Sequence, residues 1–499
     1  MIKITNEILN NYNSLFEKRV NEIRSAKTEL TIKGTAYYVS NDGDDNNDGL
    51  TPQTAWKTLG KVTNANLKSG DGVFFKRGDV FRGTFKTHDG VAYSAYGEGP
   101  KPEFRSCEKS LCDPALWELY DEEHNIWKLS EKILDVGTIV FNEGEYHSRK
   151  LIPTYKNLQF VCRDNEDKVF DMREEMTKDL DLFWDYDLTL TREPSKGENF
   201  PIPFLDEKSF GELYLRCDKG NPAEVFDDIE ALARVHLIET YCSTDVVIDN
   251  LCIKYVGMHG IASGGNVHNL TVTNCEFGWI GGCIQCYLGT DPNYPEGGRG
   301  SVTRFGNAIE IYGACDGYYV ENNYIYEVYD AGITHQITTP IKLALKNITY
   351  ANNILEKCVY GIEYFLDQIE GERESIMENV FMNDNFIRLS GYGWGQQRHN
   401  VDTPALIKGW SYVNTAKNFK IENNIFDRSA YRMLHLVAEK QEYCPEMSGN
   451  TYIQHLDAPL GQYGGKENGE PPVICFDKNA EDSIKNIFFE KNAKVYYID

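Results

Sequence analysis

The sequence predicts an all-β chain wound as a right-handed parallel β-helix, a single-stranded solenoid, and three observations carry that prediction. First, seven segments, VVIDNLCI, LTVTNCEF, YYVENNYI, ITYANNIL, VFMNDNFI, FKIENNIF and EMSGNTYI, share an apolar-x-polar-Asn-x-apolar register with equivalent turn positions at 250, 274, 322, 352, 384, 423 and 449. Second, the gaps of 24, 48, 30, 32, 39 and 26 residues approach one coil of a three-sheet helix at the short end, and one coil plus an outgoing loop at the long end. Third, Asn suits the shared position: it tolerates the left-handed backbone of a tight turn, and stacked amides can hydrogen-bond from coil to coil. A Leu-rich consensus or helical periodicity, the marks of other solenoids, is absent.

Taken in order, residues 1–33 are expected to form an N-terminal capping helix. Ile4, Ile8, Tyr12, Leu15 and Ile23 recur at helical spacing with charged residues between them, and an open β-helix end needs cover. Residues 34–104 read as the start of the β-helix: the strand at Tyr37, the polar turn DGDDNNDG, a short helix, then the strand DGVFFKRGDV. Residues 105–235 fit no repeat, contain Trp117, Trp127 and Trp184 with an acidic stretch at 164–187, and read as an insertion or β-rich subdomain. Residues 236–499 are the main β-helix. Stacked coils touch only their neighbours, so one such core can absorb most of a 499-residue chain.

Lys and Arg number 51 against 76 Asp and Glu, a formal charge of -25 that argues against nucleic acid and anionic membranes as partners. The same field disfavours polyuronates and suits neutral sugars. No apolar run approaches a membrane span or signal-peptide core, and the 13 cysteines are odd in number and without zinc spacing. Reduced thiols and a cytoplasmic address are therefore expected, with an imported oligosaccharide as the substrate partner. No metal or cofactor is expected. His-x-His spacing, a Walker motif and a dinucleotide fingerprint are all missing, and the run at 42–49 has Thr54 where a calcium loop needs Glu, so it reads as a polar turn. Oligomeric state is left open.

A second column follows the Asn column. His259-Gly260-Ile261-Ala262, Asn307-Ala308-Ile309-Glu310, Ala331-Gly332-Ile333-Thr334 and Tyr360-Gly361-Ile362-Glu363 place an inward Ile before an outward side chain. Glu310, Thr334 and Glu363 are then expected to face solvent on one sheet, with Glu310 and Glu363 two coils and roughly 9.6 Å apart at their backbones. Glu310, Asp330 and Glu363 are the candidate catalytic carboxyls, because glycoside hydrolysis uses a pair of them. Outward acids on a solenoid are in general solvated surface; company distinguishes these. His335, Gln336, Tyr312, Tyr364 and Trp279 stand beside them as candidate substrate-binding residues. Trp394, Gln396, Arg398, His399, Lys408 and Trp410, from GYGWGQQRHNVDTPALIKGW, add flat faces and donors. The stretch 281–306 is expected to wall the site and to offer Arg299 or Arg304.

The opening block from Tyr37 to Asp71, the segment Gly257 to Gln336 and the segment Gly391 to Trp410 resemble the right-handed β-helix, pectate-lyase-like superfamily. The likeness is nearest to bacterial β-helical glycoside hydrolases of the β-xylosidase family 120 and the fucosidase and xylanase family 141. It spans roughly residues 37–460 and is more architectural than catalytic. It implies two carboxyls on neighbouring coils, a role that falls by position on Asp330 and Glu363, with Glu310 as substitute. The leading expectation is an exo-acting glycosidase for short neutral oligosaccharides, with Glu363 as general acid and Asp330 as nucleophile or base. The alternatives are a polysaccharide lyase using Lys408, Arg398 or His399, and a non-catalytic carbohydrate-binding solenoid.

Overall fold

The computed structural model describes residues 2–156, 159–186, 191–192, 202–203, 210–288, 299–398, 404–410 and 413–498. Strands from successive coils pair in parallel and in register, which makes the chain a right-handed parallel β-helix. Three inward columns fill its interior. Ile261, Ile309, Ile333, Ile362, Ile407 and Leu434 stack on one sheet; Val272, Val320, Tyr350, Met382 and Ile421 on the next; Phe277, Ile325, Leu355, Ile387, Phe426 and Tyr452 on the third. All are fully or almost fully buried in one continuous core. Burying each such side chain contributes about 1.5–3 kcal/mol, and the core grows lengthwise without thickening.

The turn column is left-handed as expected: Asn250, Asn274, Asn322, Asn352, Asp384, Asn423 and Gly449 have φ between 52° and 71°. The amide ladder lies one residue further on. Asn323, Asn353, Asn385 and Asn424 each donate Nδ2 to the Oδ1 of the next member at 3.0 Å, and Asn450 ends the series on Glu490 Oε2 at 2.9 Å. The sequence reading gave one residue both tasks; the structure divides them because a side chain at the turn points outward while its neighbour points in. Left-handed residues also recur five positions to either side, as at Asn347, Asn352 and Lys357, so each regular coil bends at three such points.

The 48-residue interval hides no coil. Ala262 pairs directly with Glu310, and the extra length leaves as an antiparallel hairpin, Cys283–Leu288 with Arg299–Phe305. The chain also departs after Glu103–Arg105 and rejoins at Ile238–Glu239. Between them an antiparallel sheet, including Trp117–Asp121, Ile126–Leu129, Asp181–Tyr186 and Phe210–Arg216, has its own core around Leu182, Leu213 and Leu215. It is tied to the hairpin through Asp135, which pairs with buried Lys150 and accepts the Ile284 N–H at 2.6 Å.

The amphipathic helix α1 (Asn6–Ser25) is present, opened by Thr5 as N-cap. It covers the outer flank of the stack: Phe16, Val20 and Ile23 pack on Tyr324, Ile354 and Phe386, and Arg24 grips Glu276 at 2.8 and 3.0 Å. Ile2–Lys3, just ahead of it, pair with Lys494–Ile498 and extend the last rung. The run at 42–49 is a self-satisfied turn: Asp45 accepts from Lys57 N, Thr58 N and Thr58 Oγ1, and Asp48 from Leu50 N and Thr54 Oγ1. Among the described residues twelve cysteines are unpaired, nine of them buried.

Candidate active site

Glu310, Thr334, Glu363, Lys408 and His435 occupy one register position on five successive rungs. They point away from the Ile column, as alternation requires. The expected solvent exposure is corrected, however: Glu310 is 8% exposed, Glu363 5% and Thr334 0%. Phe305 and Gln285 of the hairpin, with Trp410 and Tyr241, line a cavity of about 500 Å³ on this flank together with Glu310, Asp330 and Glu363. That volume lies in the range of small-molecule sites, about 300–1,000 Å³.

Asp330 enters from the turn before Ala331–Thr339, and Arg398 ion-pairs with it. The aim of Arg398 is set locally. The turn Trp394–Gln397 is pinned to the same coil by Glu327, whose carboxylate accepts the Trp394 N–H at 2.9 Å and whose carbonyl accepts the indole N–H at 2.8 Å. Burial drives Asp330 upward, and the Arg398 cation opposes it. Among the described residues Glu363 is in no ion pair. Its Oε1 accepts the Trp410 indole N–H, while Lys408 Nζ sits 4.1 Å over the same indole. Burial, reinforced by the charge of Asp330, pushes Glu363 up to about 8.

Glu310 is held by three donors: His259 Nε2 at 3.1 Å, Asn307 Nδ2 at 2.5 Å and Gln336 Nε2 at 3.1 Å. The His259 tautomer follows from its other side, because Nδ1 accepts the Asn307 N–H at 2.9 Å and a neutral ring must then carry its proton on Nε2. Burial keeps His259 far below its usual pKa, hence neutral, and pushes Glu310 up to about 7. Three carboxyls therefore share one cavity with different partners. Asp330 has a cation, Glu310 neutral donors, and Glu363 an indole.

Of the residues singled out in sequence, the structure brings Glu310, Asp330, Glu363, Tyr312, Gln336 and Trp410 to the cavity wall, with Arg398 and Lys408 directly behind it. Others it places elsewhere. His335 and Tyr364 face the core, their rings stacked 5.7 Å apart, with His335 Nδ1 bonded to Tyr350 Oη at 2.8 Å. Alternation requires this, since both lie two residues past an inward Ile. Trp279 and Trp394 stack on each other in an apolar cluster with Val140 and Leu232, so they cement the insertion to the coils instead of lining the cavity. Gln396 bonds Tyr392 O and faces a separate cavity of the insertion. Arg304 is buried, donating to the carbonyls of Gly282 and Gly137, and holds the hairpin in place. His399 and the side chain of Arg299 lie outside the described residues. Sequence reasoning missed His236, Asn307 and Phe365 as cavity residues. For Asn307, its place just before the Ala-Ile-Glu triplet was the available cue; Phe305 falls in the stretch 281–306 that the sequence expects to wall the site, and Gln285 and Phe305 of that stretch do line the cavity.

Fold and cavity together define a parallel β-helix with a covered, three-carboxyl pocket on its flank. No protein-family model and no curated protein matches the chain. Among solved structures it is similar to XylC in complex with xylose, at 12% identity and TM-score 0.42 over 93% of this chain and 83% of that one. It is also similar to a GH136 lacto-N-biosidase from Eubacterium ramulus, at 11% identity and TM-score 0.35 over 99% and 71%. A rhamnogalacturonan lyase follows at 9% identity and TM-score 0.29 over 88% and 78%.

Proposed function

We propose that the cavity is the active site of an exo-acting glycoside hydrolase for short neutral oligosaccharides, working in the cytoplasm. The observation that supports this reading is the contrast between two carboxyls from adjoining rungs. Asp330 is paired with Arg398, whose charge favours its carboxylate form against the upward push of burial. Glu363, pushed up to about 8, retains its proton at neutral pH. Environments that separate the pKa values of two neighbouring acids assign the acid and base roles. Glu363 protonates the departing glycosidic oxygen, and Asp330 attacks the anomeric carbon or activates water. Glu310, held by His259, Asn307 and Gln336, borders the sugar and adds negative charge where an oxocarbenium-like centre develops.

A lyase would need a basic side chain at a uronate. Arg398 is engaged by Asp330 and Lys408 lies over Trp410, while burial first and the nearby Lys408 charge second push His435 down to about 3. Hydrolysis is the reading these positions favour. The test is a panel of aryl glycosides with xylosyl, arabinosyl and fucosyl groups: the wild type should release nitrophenol from at least one, and folded Asp330→Asn should not. A panel left intact by the wild type, or an Asp330→Asn protein of unchanged rate, refutes the proposal.

A further inference from the structure

Gln336 lies on the rung between Glu310 and Glu363 and is 8% exposed at the cavity wall. Its amide orientation is fixed. Nε2 donates to Glu310 Oε2 at 3.1 Å, and Glu310, which also takes donors from His259 and Asn307, accepts and cannot donate in its ionised form, so there the carbonyl turns the other way. That carbonyl, Oε1, is buried and meets no donor among the described residues. A buried acceptor without a partner is costly, and such atoms in native proteins call for an explanation. Further along the same cavity wall, beyond Glu310 and His259, stands His236. Its Nδ1 accepts the His259 N–H at 3.3 Å, and its ring lies parallel to His259 at 4.8 Å. Burial pushes His236 down to about 4, so its ring is neutral and carries its proton on Nε2, a donor in a residue that also lines the cavity.

We infer that Gln336 is a specificity-determining residue: its Oε1 accepts a hydrogen bond from a sugar hydroxyl, while His236 Nε2–H, further along the wall, donates to another oxygen of the ligand. The inference rests on the cavity being a sugar site and deepens that reading by naming what it selects. A hydroxyl can satisfy Oε1. The carboxylate of a uronate has no hydrogen to give it and would also meet Glu310, so the pair selects a neutral, hydroxyl-bearing ring and rejects its uronic acid counterpart. Discrimination arises because the wrong substituent leaves a buried acceptor unmet.

The test is binding, which separates this inference from catalysis. Calorimetry would follow free xylose, arabinose and fucose, each monodeoxy form of the tightest binder, and glucuronic acid, against the wild type, Gln336→Leu and the closer isostere Gln336→Met. Expected is a loss of at least about tenfold in affinity for that sugar in both variants, with one monodeoxy form binding wild type and variants alike, and no measurable uronate binding. The deoxy comparison within the wild type needs no variant to fold. Binding of no panel sugar, equal affinity in wild type and folded variants, or a uniform loss across all deoxy forms overturns the inference. If binding follows the expected pattern while every aryl glycoside stays intact, Gln336 keeps its role and the hydrolase proposal alone fails.

Discussion

Replacing Arg398 by Met removes the cation that faces Asp330 while preserving much of the side chain's length. In the folded protein the two side chains are 20% and 11% exposed, so neither is well solvated. Breaking a buried pair by deleting one partner costs about 3–5 kcal/mol. Asp330 can escape most of that cost by taking up a proton, and at about 1.36 kcal/mol per pH unit a loss of 3 kcal/mol raises the acid limb of kcat/KM by about two pH units. Glu363 responds in two opposed ways, since it loses the lowering influence of Arg398 and, once Asp330 is neutral, its raising influence too. The window between the limbs should therefore narrow mainly from the acid side. Stability carries a matching signature. A carboxyl with a raised folded pKa binds more protons folded than unfolded, so its contribution is present below the unfolded value near 3.9 and is lost as pH rises through the folded one. Arg398→Met should accordingly be closer to wild type in melting temperature at pH 5 than at pH 7.5. A folded variant with an unmoved acid limb and a pH-independent melting deficit would refute the pairing as the control of Asp330.

Two further changes act on the basic limb, which should lie near 8 in the wild type. Trp410→Phe deletes the N–H that lowers Glu363 and moves that limb up, whereas Glu310→Gln deletes a charge that raises Glu363 and moves it down; shifts of the same sign in pH–rate profiles would contradict the assignment. In the amide ladder, Asn385→Ala strips the acceptor from both Asn353 N and Asn353 Nδ2. Asn353 Nδ2 keeps Val320 O at 2.7 Å, so at about 1–3 kcal/mol for the Asn353 N–H left unpaired, thermal or denaturant melts should show a loss of at least about 1 kcal/mol, and a neutral variant would contradict the ladder's role.

The coil repeat was legible because Asn, Asp and Gly mark left-handed turns, and all seven predicted turn positions have that backbone. The turn series at Asn269, Asn347, Asn379 and Asn418 carried the same mark, five residues earlier, and was open to the same reading. The third series was not legible. It is occupied by Tyr255, Trp279, Glu327, Lys357, Leu389 and Arg428, residue types that announce no turn. The rung alignment of Glu310, Thr334 and Glu363 followed from period-two alternation, and the same rule, carried one residue further, would have turned His335 and Tyr364 inward. The sequence marks the stretch 281–306 as a wall of the site, but the burial that this wall imposes on the acids was not legible. That cover comes from a hairpin and a loop far apart in the chain, and it converts apparently solvated acids into buried ones whose pKa values move. Trp279 and Trp394 show the opposite difficulty: an aromatic near a site serves packing as readily as binding, and only the contact with Val140 and Leu232 decides.

The central claim, that Glu363 delivers a proton to the leaving group, is tested most directly by leaving-group dependence in Glu363→Gln. Rates would be compared on phenyl and 2,4-dinitrophenyl glycosides of the sugar that the wild type cleaves. A general acid contributes about 10²–10⁴-fold, so the phenyl glycoside should lose that much, while the dinitrophenyl glycoside, whose phenolate departs unaided, should lose little. Equal losses on both would contradict the role of Glu363 as acid.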